Sequence, residues 1–373
     1  MDPNSTNNQP SNPTDLPSPI PTTAPNVVAP DDNPMTAAKI DLGRHLFYDG
    51  RISVLKSMNP RDSFGVKFSP SSGIACASCH DPQYAFTDPN HRSFSVGVEN
   101  AQGVRNAPTL TNVAFNTSFT WDGKFATLEK HTPGPMFSPI EMGNNLSRFQ
   151  NDSTANGYGS DPGSNDTMFL FHRLNSTPQG MPGYSGMFKD AYGTSDITLD
   201  RMVKAITSFE RTMISHSSPF DQYNSGNKTA IGDAAKRGFQ LFINPAKANC
   251  IACHNGYNFS NSEFRNNGLV PSDKDLGRFK ITKAVADINK FKVPTLRNIA
   301  LTAPYMHDGR FATLDDVLQH YNSGGSNQTY YKDPAVKPLG LSQQELSDLK
   351  AFLETLTDTQ FTTDASFSNP WVK

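Results

Sequence analysis

All four cysteines of the 373-residue chain fall into two copies of one pattern, Cys76-Ala-Ser-Cys79-His80 and Cys250-Ile-Ala-Cys253-His254, and none is left over. Thiols one helical turn apart can add to the two vinyl groups of a haem while the adjacent imidazole reaches its iron, so every fixed position has a chemical task. A four-thiolate zinc module is the competing reading, but such modules place their two pairs roughly 15–20 residues apart. Here the pairs begin at positions 76 and 250, and each carries a histidine that zinc would not need. A thioredoxin-like redox pair explains neither the histidines nor the duplication. Two covalently bound c-type haems are therefore the expected cofactors. Covalent haem attachment takes place outside the cytoplasm, so a periplasmic compartment is expected for a bacterial chain of this kind.

The length allows two domains at roughly 150 residues each. A net charge of −2, with 18% charged residues and no Lys/Arg cluster, gives a nucleic-acid partner no support. No stretch approaches the roughly 18 consecutive apolar residues of a spanning helix, and the first residues lack the basic-then-apolar order of a signal peptide. Residues 1–34 form a Pro/Ser/Thr/Asn-rich run too poor in apolar side chains to fold, and read as a disordered tether. Such a tether follows a removed export signal, Met1 before Asp2 fits a chain cut there, and any membrane association is expected through this segment alone.

The chain also repeats itself. Positions 108–135 and 294–321 align without a gap, with Pro108-Thr-Leu-Thr-Asn112 recurring as Pro294-Thr-Leu-Arg-Asn298 and Asp122-Gly-Lys-Phe-Ala-Thr-Leu128 as Asp308-Gly-Arg-Phe-Ala-Thr-Leu314. Upstream, Leu42-Gly-Arg-His-Leu-Phe47 is echoed more loosely by Arg237-Gly-Phe-Gln-Leu-Phe242. Two related haem domains follow, each with a first ligand (His80 or His254) and a downstream segment expected to close over the opposite haem face. The copies diverge at the end of the aligned block, where Pro135 faces Tyr321. Proline cannot bind iron and a phenol can, so the first site reads as open and the second as closed. Near the open position stand His131 and Glu141, two side chains able to shuttle protons as heterolytic O–O cleavage requires. The second copy has Val317 in place of His131.

A lone His or Glu is more often a surface or satisfied group than a catalytic one, and only the haem context raises these two. His45, His91, His172, His216, His307 and His320 read as structural or exposed, with His91 close enough in sequence to His80 to swing toward the first haem. Trp121 opens the repeated Asp-Gly block; it reads as core packing or as an oxidisable relay between the haems. Apolar spacing makes 199–214 an amphipathic helix, and Ser342-x-x-Glu345 starts a final one. Stretches 150–166 and 217–229 read as loops, the second as the domain boundary. The expected architecture is all-α: two cytochrome c-type haem domains in tandem with long loops, a peroxidatic N-terminal one over 35–224 and an electron-transfer one over 225–373.

With these motifs in view the sequence resembles the bacterial di-haem cytochrome c peroxidase and MauG superfamily over roughly residues 40–358. The resemblance is carried by Leu42-Gly-Arg-x-Leu-Phe47, both Cys-x-x-Cys-His motifs, Arg105-Asn-Ala-Pro-Thr109, Trp121-Asp-Gly123, Gly134-Pro135 with Glu141-Met-Gly143, Ser208-Phe-Glu-Arg211, Phe291-Lys-Val-Pro-Thr-Leu-Arg-Asn298 and His307-Asp-Gly309. It implies an N-terminal haem where peroxide reacts, a C-terminal haem that passes electrons or stores an oxidising equivalent, Trp121 as the aromatic bridge and Glu141 as the distal acid/base. It also implies a calcium ion between the domains, held by the side chain of Asn106 and the carbonyls of Thr302 and Pro304. Three departures stand out. Val98 occupies the position where reductively activated peroxidases carry a distal histidine, His131 replaces a common distal glutamine, and Tyr321 stands where standard peroxidases place a methionine, as in MauG-like proteins. Met306 competes with Tyr321 for the second haem, but it falls opposite Thr120, beside the Trp121/His307 position.

The resulting expectation is a periplasmic enzyme that reacts with hydrogen peroxide at the His80 haem and oxidises either a small electron-transfer protein or a residue on a partner protein. The alternative is a non-catalytic di-haem electron carrier, which would need six ligands on both irons; Pro135 argues against it.

Overall fold

The computed structural model describes residues 18–54, 73–144, 170–171, 173–175, 183–272, 275–327 and 329–372. Residues 1–17 of the expected tether, the expected loop 150–166 and His172 lie outside the described residues. In chain order the helices are α1 (Ala37–Phe47), α2 (Leu128–His131), α3 (Pro133–Phe137), α4 (Tyr184–Tyr192), α5 (Leu199–Glu210), α6 (Pro219–Asn224), α7 (Asp233–Ile243), α8 (Phe279–Thr282), α9 (Leu314–Ser323), α10 (Gln343–Glu354) and α11 (Thr359–Thr363). Two short antiparallel strands, β1 (Phe264–Arg265) and β2 (Phe291–Lys292), pair with Phe264 opposite Lys292. The all-α, two-domain expectation holds.

Helix ends follow local chemistry. Thr198 accepts from Arg201 N at the start of α5, whose Met202, Val203, Ala205, Ile206 and Phe209 are buried. Ser342 and Glu345 close the expected capping box on α10. The stretch 217–229 is not wholly a loop: Ser218 and Asp221 form a capping box, Pro219 sits in the first turn, and Phe220 and Tyr223 of α6 are buried.

Each half is built on one close helix crossing, α1 against α5 and α7 against α10. A Cβ added at Gly43 would lie 1.9 Å from Ala205 O, and one at Gly238 would lie 1.9 Å from Asp348 O. The two crossings are the same joint used twice, and the loose upstream echo in the sequence is its signature. The repeated loops agree: Asn112 and Asn298 have φ of 55° and 60°, Thr120 and Met306 of 68° and 76°, Gly123 and Gly309 of 67° and 63°. Bridges Phe119–Phe125 and Tyr305–Phe311 close the same turn in both copies.

The packing departs from the expected segments at both chain ends. Ile20, inside the expected tether, is buried in the second core beside Phe220 and Tyr223, and its carbonyl accepts from Asn224 Nδ2 at 2.9 Å. Asn33 is wholly buried, donating to Lys204 O and Glu129 Oε1, both at 3.1 Å. The disordered reading is therefore corrected at these positions, where one apolar and one well-partnered polar side chain suffice to anchor a polar run. At the other end, Phe361 and Phe367 fill the first core. Gly43→Ala and Gly238→Ala are each expected to destabilise the holoprotein by about 1–3 kcal/mol through overpacking at the crossing; thermal unfolding of both variants should show a lowered Tm, and an unchanged Tm would mean the helices can separate at no cost.

Candidate haem centres

Each Cys-x-x-Cys-His segment folds as a 3₁₀ turn, Cys76–Ser78 in the first half and Cys250–Ala252 in the second. The turn returns the histidine amide to the first cysteine carbonyl, His80 N to Cys76 O at 3.0 Å and His254 N to Cys250 O at 2.9 Å. No cysteine is in a disulfide. Both imidazoles share a second restraint. His80 Nδ1 lies 2.8 Å from Phe86 O and His254 Nδ1 lies 3.0 Å from Phe259 O. Carbonyls only accept, so Nδ1 carries the proton and Nε2 is left with its lone pair. Burial lowers the pKa of both rings, which favours the same neutral form. Phe86 and Phe259 are wholly buried and hold φ of 59° and 47°. Neither stood out in the sequence; their only signal was an aromatic residue a few positions beyond each histidine.

Paired thiols one turn apart beside an imidazole with a free Nε2 are the donor set that a covalent haem requires. Burial pushes the Cys76 thiol above its ordinary range, Cys79 to about 11 and Cys250 to about 12, as expected for sulfurs meant for thioether bonds rather than thiolate chemistry. Glu210, of the Ser208-Phe-Glu-Arg211 motif, lies close enough to raise the Cys76 pKa further. Its own pKa is pushed to about 8 by burial, and its Oε2 has no hydrogen-bond partner. Such an orphaned acceptor fits a wall completed by another group.

Around the first centre the expected residues do converge. The Glu141 charge acts on both Cys76 and Cys79, and the charge of His80 disfavours the protonated form of His131. The Glu141 side chain reaches solvent, and partial desolvation by the surrounding protein raises its carboxyl pKa while a hydrogen bond from Ser138 opposes the rise. Its backbone carbonyl accepts from Val98 N at 2.9 Å, and Val98 is buried, which sets a hydrocarbon beside Glu141. Pro135 lies in α3, and its carbonyl accepts from Met142 N at 3.2 Å. His131 packs at 5.5 Å and 6.2 Å from the Phe125 and Phe119 rings, and burial, with the charges of His80 and Lys292 added, lowers its pKa to about 4. Lys292 was not singled out in the sequence. It arrives from the second half, donates to Ser118 O at 2.7 Å, and burial alone lowers its pKa to about 8.

At the second centre the charges of Cys253 and Cys250 reach Tyr321; burial raises the phenol to about 12 against an opposing hydrogen bond from Asn267. Met306 Sδ accepts from Asn267 Nδ2 at 3.3 Å. His320 Nε2 donates to Asn267 O at 2.9 Å, and His307 is buried, stacked on Phe291 at 3.6 Å.

Trp121 occupies the junction of the halves. Its Nε1 donates to Asn106 O at 2.9 Å while its own carbonyl accepts from Lys292 N at 2.8 Å. Asn106 N in turn donates to His307 O at 2.7 Å, and Asn106 Nδ2 donates to Arg92 O at 3.0 Å, which leaves the amide oxygen to face elsewhere. His91 is exposed and bonds Ala303 O through Nδ1 at 3.0 Å, so it ties the two halves rather than approaching His80. Thr302 and Pro304 flank that same carbonyl. Among the described residues no group of three or more His, Cys, Asp or Glu side chains could hold a metal ion. Arg105 completes the junction, pairing with Asp122 at 2.7 Å and Asp275 at 2.6 Å.

Two c-type haem domains joined through an aromatic and ionic seam define the class: a di-haem cytochrome c-type oxidoreductase. A family model described as di-haem cytochrome c peroxidase matches residues 37–229 and one described as cytochrome c matches residues 235–357. The methylamine utilization protein MauG of Methylophilus methylotrophus is 34% identical over 333 residues, covering 88% of this chain and 85% of that protein. The cytochrome c551 peroxidase of Nitrosomonas europaea is 31% identical, covering 88% of this chain and 82% of that one. Among solved structures, a MauG-like protein associated with microbial copper homeostasis superposes with a TM-score of 0.74 at 31% identity, covering 96% of this chain and 99% of that one. The chain belongs to the di-haem cytochrome c peroxidase and MauG family; it is an oxidoreductase of the peroxidase type with two haems.

Arg105→Met should cost about 3–5 kcal/mol, because it removes the cation shared by the mostly buried carboxylates of Asp122 and Asp275 and leaves Asp275 only the longer contact with Lys280 at 3.4 Å. Burial pushes Asp275 up, but the hydrogen bond and charge of Arg105 win and hold it at about 2. A carboxylate with a depressed pKa contributes stability fully above its unfolded value of 3.8 and loses it as pH falls toward 2. Acid titration should therefore remove a stabilising contribution in wild type that is absent from the variant.

Proposed function

We propose that this chain is a periplasmic enzyme that uses hydrogen peroxide to oxidise a partner protein, with the peroxide chemistry in its first half. The observation that carries this reading is the convergence of Glu141 and His131 on Cys76, Cys79 and His80, at a site where Pro135 and Val98 offer no iron-binding atom. When bound, the haems supply an iron position open to peroxide and a second redox centre able to hold an oxidising equivalent. Glu141 takes and returns the proton at its carboxyl, and its raised pKa brings that exchange closer to neutral pH. His131 stays neutral above about 4 and orients the bound oxidant by hydrogen bonding. Val98 and Pro135 keep protein donors away. Trp121 connects the halves through Asn106 and Lys292.

In the second half His254 and Tyr321 are the residues that would hold the second haem, a reading supported by the closeness of Tyr321 to both cysteines there. An anionic phenolate stabilises oxidised iron, which suits storage of an oxidising equivalent better than the Met/His pair of an electron relay. Tyr321 and Val98 together favour oxidation of a residue on a protein substrate over turnover with a small electron-transfer protein. A calcium ion held by the Asn106 amide oxygen and the carbonyls of Thr302 and Pro304 would stiffen the seam. Among the described residues no helix is long and apolar enough to cross a membrane.

Glu141→Gln should retain both haems and slow the reaction with peroxide by about 10²–10⁴-fold, the usual share of a general acid/base. Stopped-flow mixing with peroxide measures it; a rate within a few-fold of wild type transfers the role to His131. The enzyme reading also requires a high-spin signal from the oxidised holoprotein in electron paramagnetic resonance. Low-spin signals alone would favour the non-catalytic electron carrier.

A further inference from the structure

The loop 266–270 brings one amide to both side chains that compete for the second centre. Asn267 Nδ2 donates to Met306 Sδ at 3.3 Å, and the same side chain lies close to the Tyr321 phenol. Its backbone carbonyl takes the Nε2 proton of His320, the residue before Tyr321 on α9. The loop that presents it is well tied. Asn266 Nδ2 donates to Tyr330 O at 2.8 Å, Asn266 O accepts from Asp333 N at 3.0 Å, and Gly268 O accepts from Ser326 N at 2.7 Å. Gly268 itself sits at φ 77° with Gly325 against it, so the turn leaves little freedom for the amide.

We propose that Asn267 is the positioning residue that selects Tyr321 over Met306 as the axial partner of the second haem. The N–H given to Met306 engages a lone pair of the sulfur, the atom a thioether would use on iron. The backbone carbonyl of the same residue holds His320, and so fixes the turn of α9 that carries Tyr321. The backbone adds its part: Met306 holds φ 76°, as Thr120 holds 68° in the first half, so this turn is a feature of the repeat and Met306 has been left in it without a task at the iron.

The inference rests on the Tyr321 reading above, and one series of holoenzyme variants separates the two. Near-infrared absorption and the midpoint potential of the second haem are measured in wild type, Asn267→Leu, the shape-matched Asn267→Asp, Asn267→Gln, Tyr321→Phe, Met306→Leu and the double variant Asn267→Leu with Met306→Leu. Retention of two haems and of the first-haem spectrum checks folding in each. Asn267→Leu and Asn267→Asp are expected to gain a sulfur-to-iron band absent from wild type and to raise the potential, since Met with His is the higher-potential pair. The double variant should lose the band, and Asn267→Gln, which keeps both donors, should stay near wild type. If Asn267→Leu and Asn267→Asp both keep the wild-type spectrum and potential, while Tyr321→Phe alters them, Asn267 does not select the ligand and the proposal is overturned alone. If wild type already shows the sulfur band, Met306→Leu removes it and Tyr321→Phe is silent, the Tyr321 reading and the proposal fall together.

Discussion

An imidazole serves an iron best when a hydrogen bond to its other nitrogen fixes its tautomer and orientation, and in this chain that task falls to the carbonyls of two buried phenylalanines. Phe86 and Phe259 both take a left-handed backbone to turn their carbonyls onto His80 and His254. Non-glycine residues hold such conformations at a cost of order 1–3 kcal/mol each, and only where the surroundings over-determine them. The surroundings here are the cores themselves. Phe86 packs on Phe47, Phe361 and Phe367, and Phe259 on Phe220, Phe242 and Phe352. Of those rings Phe47, Phe242 and Phe352 stand on the helices that cross at Gly43 and Gly238, and the others come from α6, α11 and the closing segment that pack on them. The chain of dependence runs from a glycine at a crossing, through an aromatic cluster, to one proton on a histidine nitrogen.

Upon this shared frame the halves differ by a few substitutions. After its Thr127 cap the first copy stops its helix at His131 and restarts at Pro133, because proline contributes no amide and restricts the residue before it. After the corresponding Thr313 cap the second copy runs unbroken to Ser323. One break therefore changes both the backbone direction and the chemistry offered to the haem pocket. The first site receives a proline, a hydrocarbon and a turn that presents Glu141; the second receives a continuous helix that brings Tyr321 to its cysteines.

Much of this was legible because repeated residues compare themselves. Cys-x-x-Cys-His, the gapless alignment and the Ser342 box depend on adjacent residues, and each was read correctly. His91 misled because sequence distance from His80 says nothing of Ala303, which lies in the other half. The 217–229 stretch misled because its polar composition hid a four-residue capping box. Lys292 and Glu210 stood inside quoted motifs without a role and Asn267 in none, for a deeper reason: each acquires its meaning from a partner far along the chain, and no periodicity marks such a pairing. The ends misled in the same way, since Ile20 and Asn33 sit in a run whose average composition is that of an unfolded segment.

Those ends are crossed. Ile20, before the first half, completes the second core, while Phe361, Phe367 and Trp371, after the second half, pack against the first. The Tyr48 hydroxyl donates to the carbonyl of Phe367, and Arg44 grips Ser368 O at 2.7 Å. The same closing segment lines a groove with Ala75, Ala77 and Ser78 of the first attachment turn. The first core therefore cannot close on its own sequence: the wall beside its attachment turn is supplied by the last residues of the chain, so a C-terminal truncation would reach the half farthest from it in sequence.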